Sequence, residues 1–127
     1  MTPEQKIKWA IIMQVYTNEP QLKQEIITDE NIDDLYDELE DYVGDVIDEF
    51  REGEVETDIP CEDSRYYESY SVAAEIPDGS WVGWTYWFGG GKHGEPEAIP
   101  WMEDAYELDC VKEEKMVIQL DFTKKKG

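Results

Sequence analysis

The stretch from Ile32 to Phe50 reads IDDLYDELEDYVGDVIDEF. Advancing about 100° per residue from Ile32, the side chains of Leu35, Tyr36, Leu39, Tyr42, Val43, Val46, Ile47 and Phe50 fall in an arc from roughly 280° to 60°. The carboxylates of Asp33, Asp34, Asp37, Glu38, Glu40, Asp41, Asp45, Asp48, Glu49 and Glu52 fall between roughly 80° and 260°. No residue crosses from one group to the other. The pattern predicts an amphipathic helix of about 20 residues, buried along one stripe and carboxylate-covered on the outside.

Upstream, Thr2-Pro3-Glu4-Gln5 places a capping hydroxyl before proline, with glutamine three residues on, so a helix starts there. The residues that follow, from Ile7 to Tyr16, are apolar nearly all round, which implies burial on more than one side. Asn18-Glu19-Pro20 ends this helix. Pro20 to Ile27 reads as a second, short helix with Leu22, Ile26 and Ile27 inward.

Downstream, the periodicity changes from helical to alternating. Gly53 to Ser64 is polar, contains Pro60 and reads as a loop. Tyr66 to Ile76 alternates, with Tyr70, Val72, Ala74 and Ile76 on one face, and predicts a strand. Pro77-Asp78-Gly79-Ser80 has turn composition. Trp81 to Phe88 predicts a central strand, because large rings occupy both faces. Gly89 to Pro100 reads as an irregular glycine-rich loop, and Pro100 to Tyr106 is ambiguous between a helical turn and a strand start. Tyr106 to Cys110 and Met116 to Phe122 alternate on either side of Lys112 to Lys115, which predicts a final hairpin. The expected fold is therefore α+β: two or three N-terminal helices, the third long and amphipathic, packed on an antiparallel sheet of three to four strands. A single domain over residues 1–123 and a frayed basic tail at 124–127 complete the expectation.

Composition narrows the function. The 127 residues hold 32 Asp and Glu against 11 Lys and Arg, a formal charge of -21. Such a chain lacks the cations that displace counterions from a phosphate backbone, so direct nucleic-acid binding is excluded, as is docking on an anionic membrane. Disorder is the other usual meaning of high charge, but five Trp, eight Tyr and three Phe argue for a packed core. Cys61 and Cys110 are too few for a disulfide framework and too far apart for a zinc knuckle. The first residues lack the pattern of a signal peptide, and the uncharged runs fall short of the roughly 18 residues of a membrane helix. A cytoplasmic protein is expected.

Catalytic and ligand-binding patterns are weak. Gly89-Gly90-Gly91-Lys92-His93-Gly94 has glycines and a lysine, but a phosphate loop requires Ser or Thr after the lysine and a helix beyond it. Asp29, Asn31, Asp33, Asp37 and Glu40 match five positions of a calcium loop. Asp34 stands where that loop needs glycine, and the helical periodicity begins at Ile32 and runs through it. His93, the lone histidine, has no Ser or Cys beside it in sequence. The pairs Glu95/Glu97 and Glu103/Asp104 are what 32 acids produce by chance. No catalytic residue, cofactor or metal is assigned, and no enzymatic activity is expected.

The acidic run is the remaining signal. Asp29 to Asp63 holds seventeen carboxylates and one base, Arg51. Ten carboxylates along a helix of about 20 residues give one per ~3 Å of axis, close to the ~3.4 Å phosphate spacing of one DNA strand. Like charges at i,i+4 oppose folding, so their accumulation points to a cationic partner that relieves them. The leading expectation is a small inhibitor that mimics nucleic-acid charge and blocks the basic channel of a nucleic-acid-binding enzyme. At the level of class only, this resembles small acidic phage and mobile-element proteins that block restriction or CRISPR enzymes. The expected contact residues are Asp33, Asp34, Asp37, Glu38, Asp41, Asp45, Asp48, Glu49 and Glu52, with Trp87 and Trp101, which flank the glycine loop, as aromatic anchors. Two alternatives stand beside it: an immunity or adaptor protein that neutralises one basic partner such as a nuclease toxin, and an acidic regulatory module without mimicry.

Overall fold

A computed structural model describes residues 1–60, 67–89, 96 and 99–109. These residues form three helices followed by a four-stranded antiparallel sheet: α1 (Pro3–Asn18), α2 (Ile32–Glu38), α3 (Glu40–Phe50), β1 (Val55–Glu56), β2 (Glu68–Glu75), β3 (Trp81–Phe88) and β4 (Tyr106–Leu108). The strands lie in the order β1-β2-β3-β4. The α+β arrangement is as the sequence predicts. The arm at 116–122 of the expected final hairpin, the Lys112–Lys115 connection, the tail at 124–127, both cysteines, His93 and most of the glycine loop lie outside the described residues.

Helix α1 begins where its capping box predicts. The Gln5 N–H donates to Thr2 Oγ1 at 3.1 Å, and the Thr2 N–H donates to Gln5 Oε1 at 3.0 Å. Two stripes of this helix are buried, which explains its nearly all-round apolar character. Ile7, Ile11 and Val15, at i, i+4 and i+8, join Val43 and Val46 of α3 and Val72, Ala74, Val82 and Trp84 of the sheet in the main core. Ile12 and Tyr16 turn to the other side and pack with Ile32 and Leu35 of α2 in a second cluster. The sheet therefore carries α1 and α3 on one face, and α2 is bound to it through α1.

The expected helix from Pro20 to Ile27 is absent. The Glu25 N–H donates to the Tyr16 hydroxyl at 3.3 Å, whereas a helix would send it to the Gln21 carbonyl. The segment runs as a turn and an irregular strap across the end of α1. Ile26, expected inward, is 85% exposed, while Leu22 and Ile27 reach one core cluster each.

Within the expected loop after Gly53, Val55 and Glu56 instead form edge strand β1, opposite Ala73 and Val72 of β2. Gly53 makes this entry possible. Its φ is +76°, and a Cβ there would stand 2.6 Å from Val72 Cβ.

Strands β2 and β3 pair along their full lengths, from Glu68 opposite Phe88 to Glu75 opposite Trp81. The turn between them closes as its composition predicts, with the Ile76 N–H donating to the Ser80 carbonyl at 2.8 Å. Ser80 donates from both its Oγ (2.6 Å) and its N–H (2.9 Å) to Asp78 Oδ1, and these bonds hold the Asp78 carboxyl below its ordinary pKa. Residues 102–104 form a turn, which resolves the ambiguous stretch before β4.

Candidate acidic interface

The amphipathic stripe is present but built from two helices. At Leu39, where φ is −96° and ψ is 16°, the N–H is shared between the Leu35 and Tyr36 carbonyls at 3.1 and 3.2 Å. The Leu39 carbonyl accepts from the Tyr42 N–H at 2.8 Å, an i to i+3 bond that tightens the chain by a fraction of a turn. The two helices feed different clusters: Ile32 and Leu35 pack in the second, Val43 and Val46 in the main core, and Leu39 touches both. The break lets one continuous apolar stripe serve two cores. Tyr42, expected inward, is 41% exposed beside it.

All ten carboxylates of the stripe are exposed. Asp33 lies at its margin, where Lys8 Nζ approaches Oδ1 at 3.1 Å and the Tyr36 ring centroid at 5.2 Å. Burial, with Asp37 and Glu4 nearby, pushes the Tyr36 hydroxyl up to about 12. Asp29, farther toward the N-terminus, meets the terminal ammonium at 3.3 Å. From Asp34 to Glu52, no carboxylate of the stripe makes an ion pair among the described residues.

Arg51, the one base in the acidic run, is turned away from the stripe. Its guanidinium donates to the Trp87 carbonyl at 2.7 Å and lies 4.8 Å from the Tyr86 ring centroid. Its own carbonyl accepts from Trp84 Nε1–H at 2.8 Å. Arginine thus staples the end of α3 to β3.

The aromatic anchors need correction. Trp101 is 6% exposed and packs at 5.3 Å against Trp84, so it belongs to the core rather than to a surface. Trp87 is half-buried, with Tyr67 edge-on at 6.5 Å. It lines a cavity of about 150 Å³ with Thr85, Pro100, Trp101 and Asp104. The rings of Tyr70, Tyr86 and Phe88 form a stack across β2 and β3, and of the three only Tyr70 is exposed. Tyr70 stacks on Phe88 at 4.9 Å and Tyr86 on Phe88 at 5.5 Å. Tyr70, on the same strand face as the buried Val72 and Ala74, is 44% exposed. The alternation of β2 correctly gives its face, but how far the helices cover that face depends on where α3 stops.

Helix α2 begins at Ile32, as the periodicity predicts over the calcium-loop pattern. Asn31 Oδ1 accepts from the Thr28 N–H at 2.8 Å and its Nδ2 donates to the Ile26 carbonyl at 2.8 Å, which closes the turn that opens α2. No family model, curated protein or solved structure matches this chain. Among the described residues no helix is long and apolar enough to cross a membrane.

Proposed function

We propose that this protein is a small inhibitor whose acidic helices occupy the basic nucleic-acid channel of a partner protein. The observation that carries the reading is the state of the stripe: its carboxylates from Asp34 to Glu52 are exposed and lack ion pairs among the described residues, while Arg51 is locked against the sheet. A face that served only solubility would gain stability from interleaved lysines, and here they are absent. The spacing of ~3 Å per carboxylate along a helix makes the face a charge analogue of a phosphate strand. Association would be fast and salt-sensitive, steered by the field of the whole face. The protein acts by occupancy and performs no chemistry in this reading.

The open rings of Tyr42 and Tyr70 favour a second reading, in which one specific basic partner, such as a nuclease toxin, is held through aromatic contacts as well as charge. Affinity capture on the tagged chain, eluted with duplex DNA, separates the two. Recovery of a nucleic-acid enzyme that DNA displaces, and its loss from the variant carrying Asp37→Asn, Asp41→Asn, Asp45→Asn and Asp48→Asn, is the expected result. A partner that DNA fails to displace overturns mimicry in favour of the second reading.

A further inference from the structure

A groove of about 730 Å³ opens between α1, α3 and the β2–β3 turn. Its apolar lining includes Ala10, Val46, Phe50 and Ile76, and the charged residues that line it, among those described, are Glu49, Glu54 and Glu75. Met13 is 42% exposed, a flexible thioether at the groove mouth. Glu54 is held in place because its Oε1 accepts from the Glu75 N–H at 3.3 Å. Glu49 belongs both to this groove and to the acidic stripe, so the two surfaces are continuous.

The lining specifies the occupant. An apolar chain would leave carboxylates facing it, and an anion would be repelled. A long apolar stem ending in a cation satisfies both parts, with methylenes on the apolar lining and the charge among the glutamates. Arginine fits better than lysine because its planar, weakly hydrated guanidinium can pair with carboxylates while losing less hydration on burial.

We infer that this groove receives an arginine side chain of the basic partner and gives the interface a salt-resistant anchor beside the salt-sensitive stripe. The inference rests on the reading of the partner as basic. It makes the face more than a rod of charge, since the groove adds an apolar lining that a phosphate backbone lacks.

The probe is acetyl-tetra-arginine amide, titrated into the full ¹⁵N-labelled chain at about 50 mM and about 500 mM NaCl, concentrations that span weak and strong screening. At low salt, amide shifts are expected along α2, α3 and the groove. At high salt they should persist at Met13, Glu49, Phe50 and Glu54 and fade at Asp37 and Asp41. Met13→Arg places the chain's own guanidinium in the groove from an exposed helix position. It should weaken the high-salt binding about tenfold, the loss expected when an anchor is displaced, with the rest of the amide spectrum unchanged. The Asp37, Asp41, Asp45 and Asp48 to Asn variant should retain the high-salt groove shifts. Shifts confined to the stripe, or Met13→Arg binding within about twofold of wild type, overturn the anchor and leave the acidic stripe standing. Groove shifts without stripe shifts support the anchor and count against the stripe. No shift at either salt overturns both.

Discussion

Neutralising the stripe should stabilise the protein while weakening its hold on a basic partner. Consider Asp37→Asn, Asp41→Asn, Asp45→Asn and Asp48→Asn together. Within the two helices, these sites take part in five like-charge contacts at i,i+3 or i,i+4: Asp33/Asp37, Asp34/Asp37, Asp41/Asp45, Asp45/Asp48 and Asp45/Glu49. Each costs ~0.2–0.5 kcal/mol in a solvated helix, so their removal is worth about 1–2 kcal/mol. Asp41 lies in the first turn of α3 and loses a favourable dipole interaction, whereas Asp48 lies near its end and sheds an unfavourable one, and the two effects nearly cancel. Asn and Asp have similar helix propensities, so the backbone contributes little. For a chain of this size, thermal unfolding should rise by roughly 5 °C at low ionic strength. The gain should shrink by half or more at about 0.5 M NaCl, where the screening length is only a few ångströms. Circular dichroism melts of both proteins at the two salt concentrations test this. A variant that melts lower than wild type, or a gain that ignores salt, refutes the claim that these carboxylates repel one another unrelieved.

Two glycines should respond in opposite directions. Gly44, in an exposed position of α3 with no atom within 4 Å of a Cβ placed there, should stabilise the fold by about 0.5–1 kcal/mol when changed to Ala, read from urea denaturation. Gly53→Ala meets both the positive φ and the 2.6 Å approach to Val72 Cβ, and should destabilise by about 2–3 kcal/mol in the same assay. Tyr36 titrates at an ordinary 10.0 when unfolded and about 12 when folded, so the folded state holds its proton longer and stability falls as pH rises between those values. Tyr36→Phe should flatten that part of the stability profile, and an unchanged alkaline slope would refute the assignment.

What could be read in advance follows from the range of the interactions concerned. The helix starts at Pro3 and Ile32 and the β2–β3 turn depend on neighbours within four residues, and the sequence contains them. The break at Leu39 leaves no such mark, because an apolar residue at 340° suits a straight helix as well as a kinked one. It is caused by the separation of two cores, which is a tertiary fact. Residues 20–27 have proline and helical apolar spacing, yet the Tyr16 hydroxyl captures the Glu25 N–H and Ile26 is left in solvent. Strand β1 has two residues, too few for alternation to be visible. Trp101 was placed by its neighbours in sequence, whereas its environment is set by Trp84, seventeen residues away. The acidic stripe was legible because it is periodic; the α1–α3 groove was not, because its walls come from three separate elements.

The placement of Arg51 bears most directly on whether the charge is a surface or a by-product. An arginine three residues after Asp48 could pair with it across one turn, and on an exposed helix end such a pair is worth up to about 1 kcal/mol. Instead its guanidinium spans the gap to β3, bonds the Trp87 carbonyl and covers Tyr86. Charged hydrogen bonds and desolvated cation–π contacts are worth about 1.5–3 and up to about 2 kcal/mol respectively, so the sheet outcompetes the carboxylates for this cation. Its removal from the stripe leaves the full negative density of α3 facing outward at the point where the groove opens. Arg51→Lys separates this staple from charge alone: lysine keeps the charge but loses the planar fork, so a lower melting temperature with unaltered partner affinity is expected. Partner affinity that changes along with the melting temperature would mean that the staple also shapes the binding face.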